Sequence, residues 1–151
     1  MELETGCGHL QIQEMDKLLS FISPDFAVID SNAVCGKLHL IQAANLSLSA
    51  HEGNYNLSKD KSTEVLLYLT GQRQISKALK LAGVSTSTKS IAWVSFSSIP
   101  SNFMDVVKLD EEVISPSAFD FSRFNIEENF DINLKQKIVM TRTAILPVQP
   151  R

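Results

Sequence analysis

Short apolar runs separated by polar linkers extend along the 151-residue chain, and their spacing predicts a mixture of strands and helices. Runs rich in β-branched or aromatic residues, or with alternating apolar and polar positions, favour strands. Apolar residues three and four positions apart favour helices. The predicted strands are residues 9–13, 26–30 and 90–97, and the β-rich run at 90–97 is expected to be a central strand of the sheet. The predicted helices are residues 16–22, 32–52, 62–70, 72–82, 102–107 and 133–142.

Residues with known preferences for helix ends support several of these boundaries. Ser31 or Asn32 is a suitable N-cap for the long second helix. Glu64 falls in the first turn of the third predicted helix, where the helix dipole favours a carboxylate. Gly71 and Gly83 are natural residues for helix C-termini, so the segment after Gly71 is interpreted as a joint between two helices.

The order of elements predicts the fold class. Helices and strands interleave, but the strands are few and short, which indicates an α+β fold: a small antiparallel or mixed sheet with several helices packed on one face. Hydrophobic residues make up 44% of the chain, so we expect residues 1–151 to form a single globular domain around one core. Residues 144–148 are expected to be extended, and Pro147 suits an edge strand.

The composition also indicates where the protein functions. No apolar run approaches the roughly 20 residues that a membrane span needs, and the acidic N-terminus lacks a signal-peptide pattern. Cys7 and Cys35 are too few for a disulfide framework and fit a reducing compartment. We therefore expect a cytoplasmic protein with no membrane partner.

The residue spacing does not support three common kinds of chemical site. Residues 71–77 lack the second glycine and the final hydroxyl of a phosphate-binding loop. Cys7 with His9, and Cys35 with His39, do not have the spacing of zinc-binding pairs. No nucleophile elbow accompanies the serine, histidine and aspartate residues. We expect no catalytic residues, no bound metal and no cofactor.

The predicted helix at residues 72–82 has a basic side and an apolar side. Arg73, Lys77 and Lys80 are four and three positions apart, so they share one side. The apolar side carries Ile75, Ala78, Leu79 and Ala82. Lys59 and Lys61 extend the basic side if the fold brings them near. Two interpretations remain open, a solvated outer face or a surface that follows nucleic-acid phosphates.

Charge is distributed unevenly along the chain, although the net charge is only −3. Residues 59–89 hold six cationic and two anionic side chains, whereas residues 101–134 hold two and eight. A net negative charge disfavours a general nucleic-acid coat protein, but the basic segment creates a local positive field. Four of the five phenylalanines in the acidic segment, those in its second half, are expected in the core rather than stacked on bases. They are Phe119, Phe121, Phe124 and Phe130.

Three consecutive segments carry a family resemblance. The first is Gly-Lys-Leu-His at residues 36–39, early in the long helix, and the second is Glu-Val-Leu-Leu-Tyr-Leu-Thr-Gly at residues 64–71. The third is Arg-Gln-Ile at residues 73–75 with Ala78 and the Gly83-Val84 exit, before a β-rich run. Together they resemble the small kinase-binding (TPRKB-like) subunit family of the KEOPS complex, over residues 26–97.

This resemblance implies a non-catalytic subunit of the machinery that makes threonylcarbamoyl-adenosine in tRNA. Family members bind and stimulate the small kinase/ATPase subunit of the complex and help to recruit tRNA through its 3′ CCA end. If this chain binds tRNA, its basic residues are the candidates for RNA contact. They are Arg73, Lys77, Lys80, Lys59 and Lys61.

The C-terminal residues Ile145, Leu146 and Val148 are the predicted kinase contacts, because apolar residues beside an open strand edge often mark an interface. Two other classes of function are alternatives. A small-molecule-binding regulatory domain with ligand-gated partner contacts would have a deep apolar pocket with convergent polar groups. An enzyme would have a pocket-lining group with a strongly shifted pKa.

Overall fold

The computed structural model describes residues 3–148, in which helices flank an antiparallel sheet of four strands. The strands are β1 (Glu4–Leu10), β2 (Phe26–Asp30), β3 (Ser90–Ser95) and β4 (Val107–Leu109). The α-helices are α1 (Met15–Leu19), α2 (Lys37–Glu52), α3 (Lys61–Thr70), α4 (Ile75–Ala82) and α5 (Ile132–Ala144). The strand order is β2-β3-β1-β4, with β3 in the interior. The predicted α+β class and the interior position of the third predicted strand are confirmed.

Both faces of the sheet are buried, although by layers of different size. Ala27 and Ile29 of β2 belong to the main core with residues of α2, α3, α4 and α5. Phe26 and Val28 point to the other face, because side chains alternate along a strand. There they pack with Leu18 of α1 and with a short 3₁₀ helix, Phe103–Val106. The expected packing of several helices on one face is confirmed by α2 to α5, while α1 packs on the opposite face.

Two element boundaries differ from the prediction at the N-terminal side. The first strand covers Glu4–Leu10 rather than residues 9–13, because its N-terminal half pairs with β3 from Glu4 onwards. Residues Ser31–Ala33 form a separate 3₁₀ helix, and α2 begins only after Gly36, whose φ of +94° does not continue a helix. Within residues 3–148, no helix has the length and apolar content needed to cross a membrane.

The C-terminal segment is not an edge strand. Residues Leu146–Val148 form a short 3₁₀ helix directly after α5, and the Leu146 side chain is fully buried in the main core. The Leu146 carbonyl also accepts a hydrogen bond from Arg73 Nη1 at 2.9 Å. The prediction of an extended segment is wrong because burial of Leu146 turns the chain inward against the helical layer.

The aromatic residues of the acidic segment mostly form core. Phe119, Phe121 and Phe124 are buried, with Phe119 edge-on to Phe121 and stacked on Phe124. Their prediction as core residues is confirmed. Phe130 is partly exposed, so the prediction is wrong at that position.

Gly71 ends α3 in the left-handed conformation, with φ +67°, and confirms the predicted joint. A Cβ atom at this position would lie 3.1 Å from Arg142 Cβ and 3.2 Å from the Arg142 carbonyl oxygen. We expect Gly71→Ala to lower the free energy of unfolding by about 1–2 kcal/mol, because alanine disfavours positive φ and the contact is tight. The midpoint of urea denaturation should fall at an unchanged m-value. Gly71→Asn is the control, because asparagine adds the same Cβ contact but tolerates positive φ better than alanine, so it should lose less stability. A midpoint for Gly71→Ala equal to that of the wild type would contradict the prediction.

Candidate functional site

The structure separates the predicted basic residues into two groups. Helix α4 begins at Ile75, so Arg73 lies in the preceding loop, and its guanidinium group is held by the Leu146 carbonyl. Lys77 and Lys80 are exposed on α4 itself. The sequence pattern predicted that Arg73, Lys77 and Lys80 lie on one face of a helix. In the structure only Lys77 and Lys80 lie on α4. Arg73 connects α4 to the C-terminal segment.

Lys59 and Lys61 lie beside the start of α3. Lys59 is exposed, while Lys61 is half-buried with its Nζ 6.0 Å from the centre of the Phe96 ring. Thr63 near the start of α3 and Gly83 after the end of α4 line the same groove. The start of α3 and the end of α4 therefore lie side by side, so the two helices run in opposite directions. Lys80, near the end of α4, is closer than Arg73 to the start of α3. Arg73 follows the other end of α3, about 15 Å along a ten-residue helix.

A shallow apolar groove of about 200 Å³ lies between α1 and α4, and we name it the α1–α4 groove. Three exposed side chains line it: Leu19, Ile22 and Leu79. Leu79 is 50% exposed. The apolar side of α4 was expected to be buried, but only its small residues, Ala78 and Ala82, enter the core. Ile75 and Leu79 lie at the margin of the packed face, because the alanines allow a close approach that leaves the larger side chains outside.

The three predicted kinase contacts at the C-terminus have different environments. Ile145 is 41% exposed, so its side chain can contact a partner. Leu146 is fully buried, so its side chain cannot reach a partner in this conformation. The side chain of Val148 lies outside the described part of the structure. The assignment of these residues to kinase binding stays a prediction, and it depends on Ile145.

Two buried polar residues organise the helical layer. The Glu64 carboxylate accepts hydrogen bonds from the Leu57 and Ser58 amides at 2.9 and 2.7 Å, and from the Ser58 hydroxyl at 2.6 Å. His39 Nδ1 accepts from the Cys35 amide and its Nε2 donates to the Leu69 carbonyl, both at 2.9 Å. The sequence located Glu64 in a first turn but contained no signal for its loop partners.

Neither Glu64 nor His39 is part of a metal-binding cluster among the described residues. Across residues 3–148, no cluster of three or more histidine, cysteine, aspartate or glutamate side chains is placed to hold a metal ion. Burial lowers the pKa of His39 to about 4, partly offset by its hydrogen bond to Leu69, so the ring is neutral at physiological pH. His39 therefore acts as a connector between the backbone of α3 and the start of α2.

A larger cavity of about 610 Å³ lies at the β1–β4 side of the sheet. Cys7 and Asp110 are among its lining residues. Burial raises the pKa of the Cys7 thiol, and the nearby carboxylates of Glu111 and Asp110 raise it further, so the thiol stays protonated. The hydrogen bond with His9 holds the pKa of Asp110 below its usual range. Neither shift produces a nucleophile or a proton donor at neutral pH.

Comparison with known proteins gives one result at the level of the family. A family model described as Kinase binding protein CGI-121 matches residues 11–141. A search of curated proteins found no significant match to the chain. The matched range includes the α1–α4 groove and the basic residues, and it ends before Ile145. Because the match covers most of the chain and confirms the resemblance to the TPRKB-like subunits, the protein belongs to the CGI-121 family of kinase-binding proteins.

Proposed function

We propose that this chain is a non-catalytic subunit of a cytoplasmic KEOPS complex, which binds and stimulates the small kinase/ATPase subunit and recruits tRNA. Membership of a kinase-binding family supports the first part. The observation that carries the proposal is the composition of α4 and its surroundings. This helix has exposed lysines on one side and an exposed apolar groove on another, so one element offers surfaces suited to RNA and to protein.

The kinase is expected to bind at the α1–α4 groove. Leu19, Ile22 and Leu79 expose large apolar side chains around a single concavity, as the centres of protein interfaces commonly do. All three lie within the range matched by the family model. Ile145 remains a second candidate, and an interface that includes both would extend from the groove to the C-terminal segment.

Leu79→Gln is expected to weaken binding of the small KEOPS kinase subunit roughly three- to tenfold. Full burial of a leucine contributes about 1.5–3 kcal/mol, and half of the Leu79 side chain is still exposed for a partner to cover. Isothermal titration calorimetry with the purified kinase subunit measures the change. Leu38→Gln is the matched control, since Leu38 is 75% exposed at the start of α2 and does not line the groove. Equal affinities of the two variants would reject the groove as the kinase site.

Ile145→Gln tests the C-terminal candidate in the same titration. A point variant is preferable to truncation after Thr143, because truncation would remove the buried Leu146 and the acceptor for Arg73. The wild-type chain should also increase ATP hydrolysis by the kinase subunit while showing none alone. Turnover by the isolated chain that persists through further purification would contradict the non-catalytic part of the proposal.

The tRNA backbone is expected to bind at Lys77 and Lys80, with Lys59 and Lys61 beside the end of α4. Two exposed cations one turn apart can each contact a phosphate, and such contacts position RNA without reading its sequence. Arg73 is a weaker candidate than the sequence suggested, because its guanidinium group already donates to Leu146. Recognition of the CCA bases would require additional stacking or base-edge contacts.

Replacing Lys77 and Lys80 together by Gln is expected to weaken tRNA binding and to flatten its salt dependence. For a single-stranded end, the slope of log K against log salt should decrease by about 0.7 for each phosphate that is no longer neutralised, or about 1.4 for two. Binding is measured from low to moderate salt, with intact tRNA and with tRNA lacking the CCA end. Lys37→Gln with Lys108→Gln changes the net charge equally at exposed positions near β4 and the start of α2. Identical salt slopes for the two double variants would contradict a site on α4.

A further inference from the structure

One edge of the first half of β1 has no partner strand within residues 3–148, although the 3₁₀ helix Glu111–Ile114 packs near it. Strand β1 pairs with β3 from Glu4 to His9, but β4 pairs with β1 only at Gly8–Leu10. The Asp110 amide donates to the Cys7 carbonyl, and the Gln11 amide donates to the Val106 carbonyl. Along a strand, the amide and carbonyl groups of successive residues point alternately to one neighbouring strand and to the other. In β1, the odd-numbered residues therefore point these groups towards β4. Thr5 follows this alternation, and within residues 3–148 no strand pairs with it on that side.

The cavity of about 610 Å³ surrounds this edge from both faces of the sheet. Trp93 and Met104 line it on one face, and Leu40 and Ile114 line it on the other. An added strand places alternate side chains above and below the sheet, so it needs space on both faces. The volume is within the range of peptide-sized and ligand-sized sites. The open edge and the cavity therefore have the geometry required for strand addition.

The lining combines apolar contact area with an acidic rim. Leu109 is 62% exposed at the end of β4, beside the apolar face of the cavity. The rim carries four carboxylates, from Glu4, Asp110, Glu111 and Glu112. The lining contains one cationic side chain, Lys37, whose Nζ lies 4.0 Å from Glu111 Oε1. Excess negative charge favours a cationic occupant and disfavours a second copy of this chain, which would bring a second acidic rim.

We propose that the β1–β4 edge of the sheet binds an extended segment of a partner protein in which basic and apolar residues alternate. The segment would add a short strand beside β1, with main-chain hydrogen bonds to Thr5. Its apolar side chains would contact Trp93, Met104 and Leu109, and its basic side chains would face the acidic rim. This site lies at the sheet edge opposite β2, which borders the α1–α4 groove, so it is separate from the proposed kinase surface.

Synthetic peptides test the proposal directly with the full chain. The probes are an acetylated and amidated (Lys-Val)₃ peptide, a (Glu-Val)₃ peptide of the same length, and a (Lys-Val)₃ peptide N-methylated at alternate amides. Titrations followed by amide NMR shifts should show the cationic peptide perturbing Thr5, Gly6 and Asp110. The acidic peptide should bind at least about tenfold more weakly. N-methylation of the peptide amides that would pair with β1 should weaken binding of the cationic peptide by a factor of about ten, because it removes backbone hydrogen-bond donors.

The variant Glu111→Gln with Glu112→Gln tests the acidic rim, since both side chains are exposed and their replacement preserves the core. This double variant should bind the cationic peptide several-fold more weakly and keep the thermal stability of the wild type. Equal binding of all three peptides, or shifts confined to residues away from β1, would overturn the proposal. A concentration-dependent dimer in sedimentation that perturbs the Thr5 amide would also overturn it, because the edge would then pair with a second copy.

Discussion

Glu64→Ala is expected to destabilise the fold by roughly 3–5 kcal/mol. The Glu64 side chain is fully buried, and its carboxylate is the acceptor for the amides of Leu57 and Ser58 and for the Ser58 hydroxyl. Alanine leaves the two amides without their acceptor, whereas the Ser58 hydroxyl can still donate to the Asp60 carbonyl at 3.1 Å. Each unsatisfied buried donor costs about 1–3 kcal/mol. The loop before α3 should therefore detach or the whole domain should unfold more readily. Urea denaturation measures the loss as a lower midpoint.

Two further variants make this result specific to the carboxylate. Glu64→Gln retains one accepting oxygen and a similar volume, so it should cost about half as much as alanine and remain measurable if Glu64→Ala does not fold. Glu52→Ala removes an exposed glutamate at the end of α2 and should change stability by less than about 0.5 kcal/mol. If Glu64→Ala were as stable as Glu52→Ala, the carboxylate would not hold the loop.

Stability is expected to fall by up to roughly 3 kcal/mol between pH 7 and pH 4 through His39 alone. Burial lowers the pKa of His39 from 6.5 to about 4 in the folded state. Below pH 6.5 the unfolded chain therefore binds a proton that the folded chain does not, and this difference favours unfolding. The contribution is present above pH 6.5 and is lost progressively as the pH approaches 4, at about 1.36 kcal/mol for each unit of pKa difference.

The comparison of His39→Gln with the wild type isolates this contribution from the titration of carboxylates. The variant should be less stable at pH 7, because glutamine cannot reproduce both ring hydrogen bonds, but its stability should depend less on pH between 7 and 4. Urea midpoints at half-unit pH intervals provide the measurement. His9→Gln shows the effect of removing an exposed histidine, since the His9 side chain is 47% exposed; any change in its pH profile reports the loss of its hydrogen bond to Asp110. Parallel pH profiles for wild type and His39→Gln would contradict the assignment.

The proposed functional surfaces were predictable from the sequence only in part. The exposure of Lys77 and Lys80 followed from their spacing, because charged residues on one side of a helix remain in water. The sequence did not predict the groove at Leu79. Periodicity shows which side of a helix is apolar, but it does not show how closely that side packs against the core. The exposure of Leu79 depends on Ala78 and Ala82 fitting against the core. No local signal distinguishes these positions.

Local sequence patterns were sufficient to predict the α+β class, the interior strand and the joint at Gly71, because these depend on residue periodicity and on local backbone preference. Tertiary packing determined which distant segments meet. It joined Arg73 to Leu146 and placed Glu64 under the loop at residues 57–58. It also left one edge of the first half of β1, the edge away from β3, without a partner strand among residues 3–148, beside an acidic cavity. Each of these features depends on contact between segments that are far apart in the sequence, and no local pattern predicts such contacts. The physical reason is that periodicity reports which side of an element is apolar, while the chain path determines what covers that side.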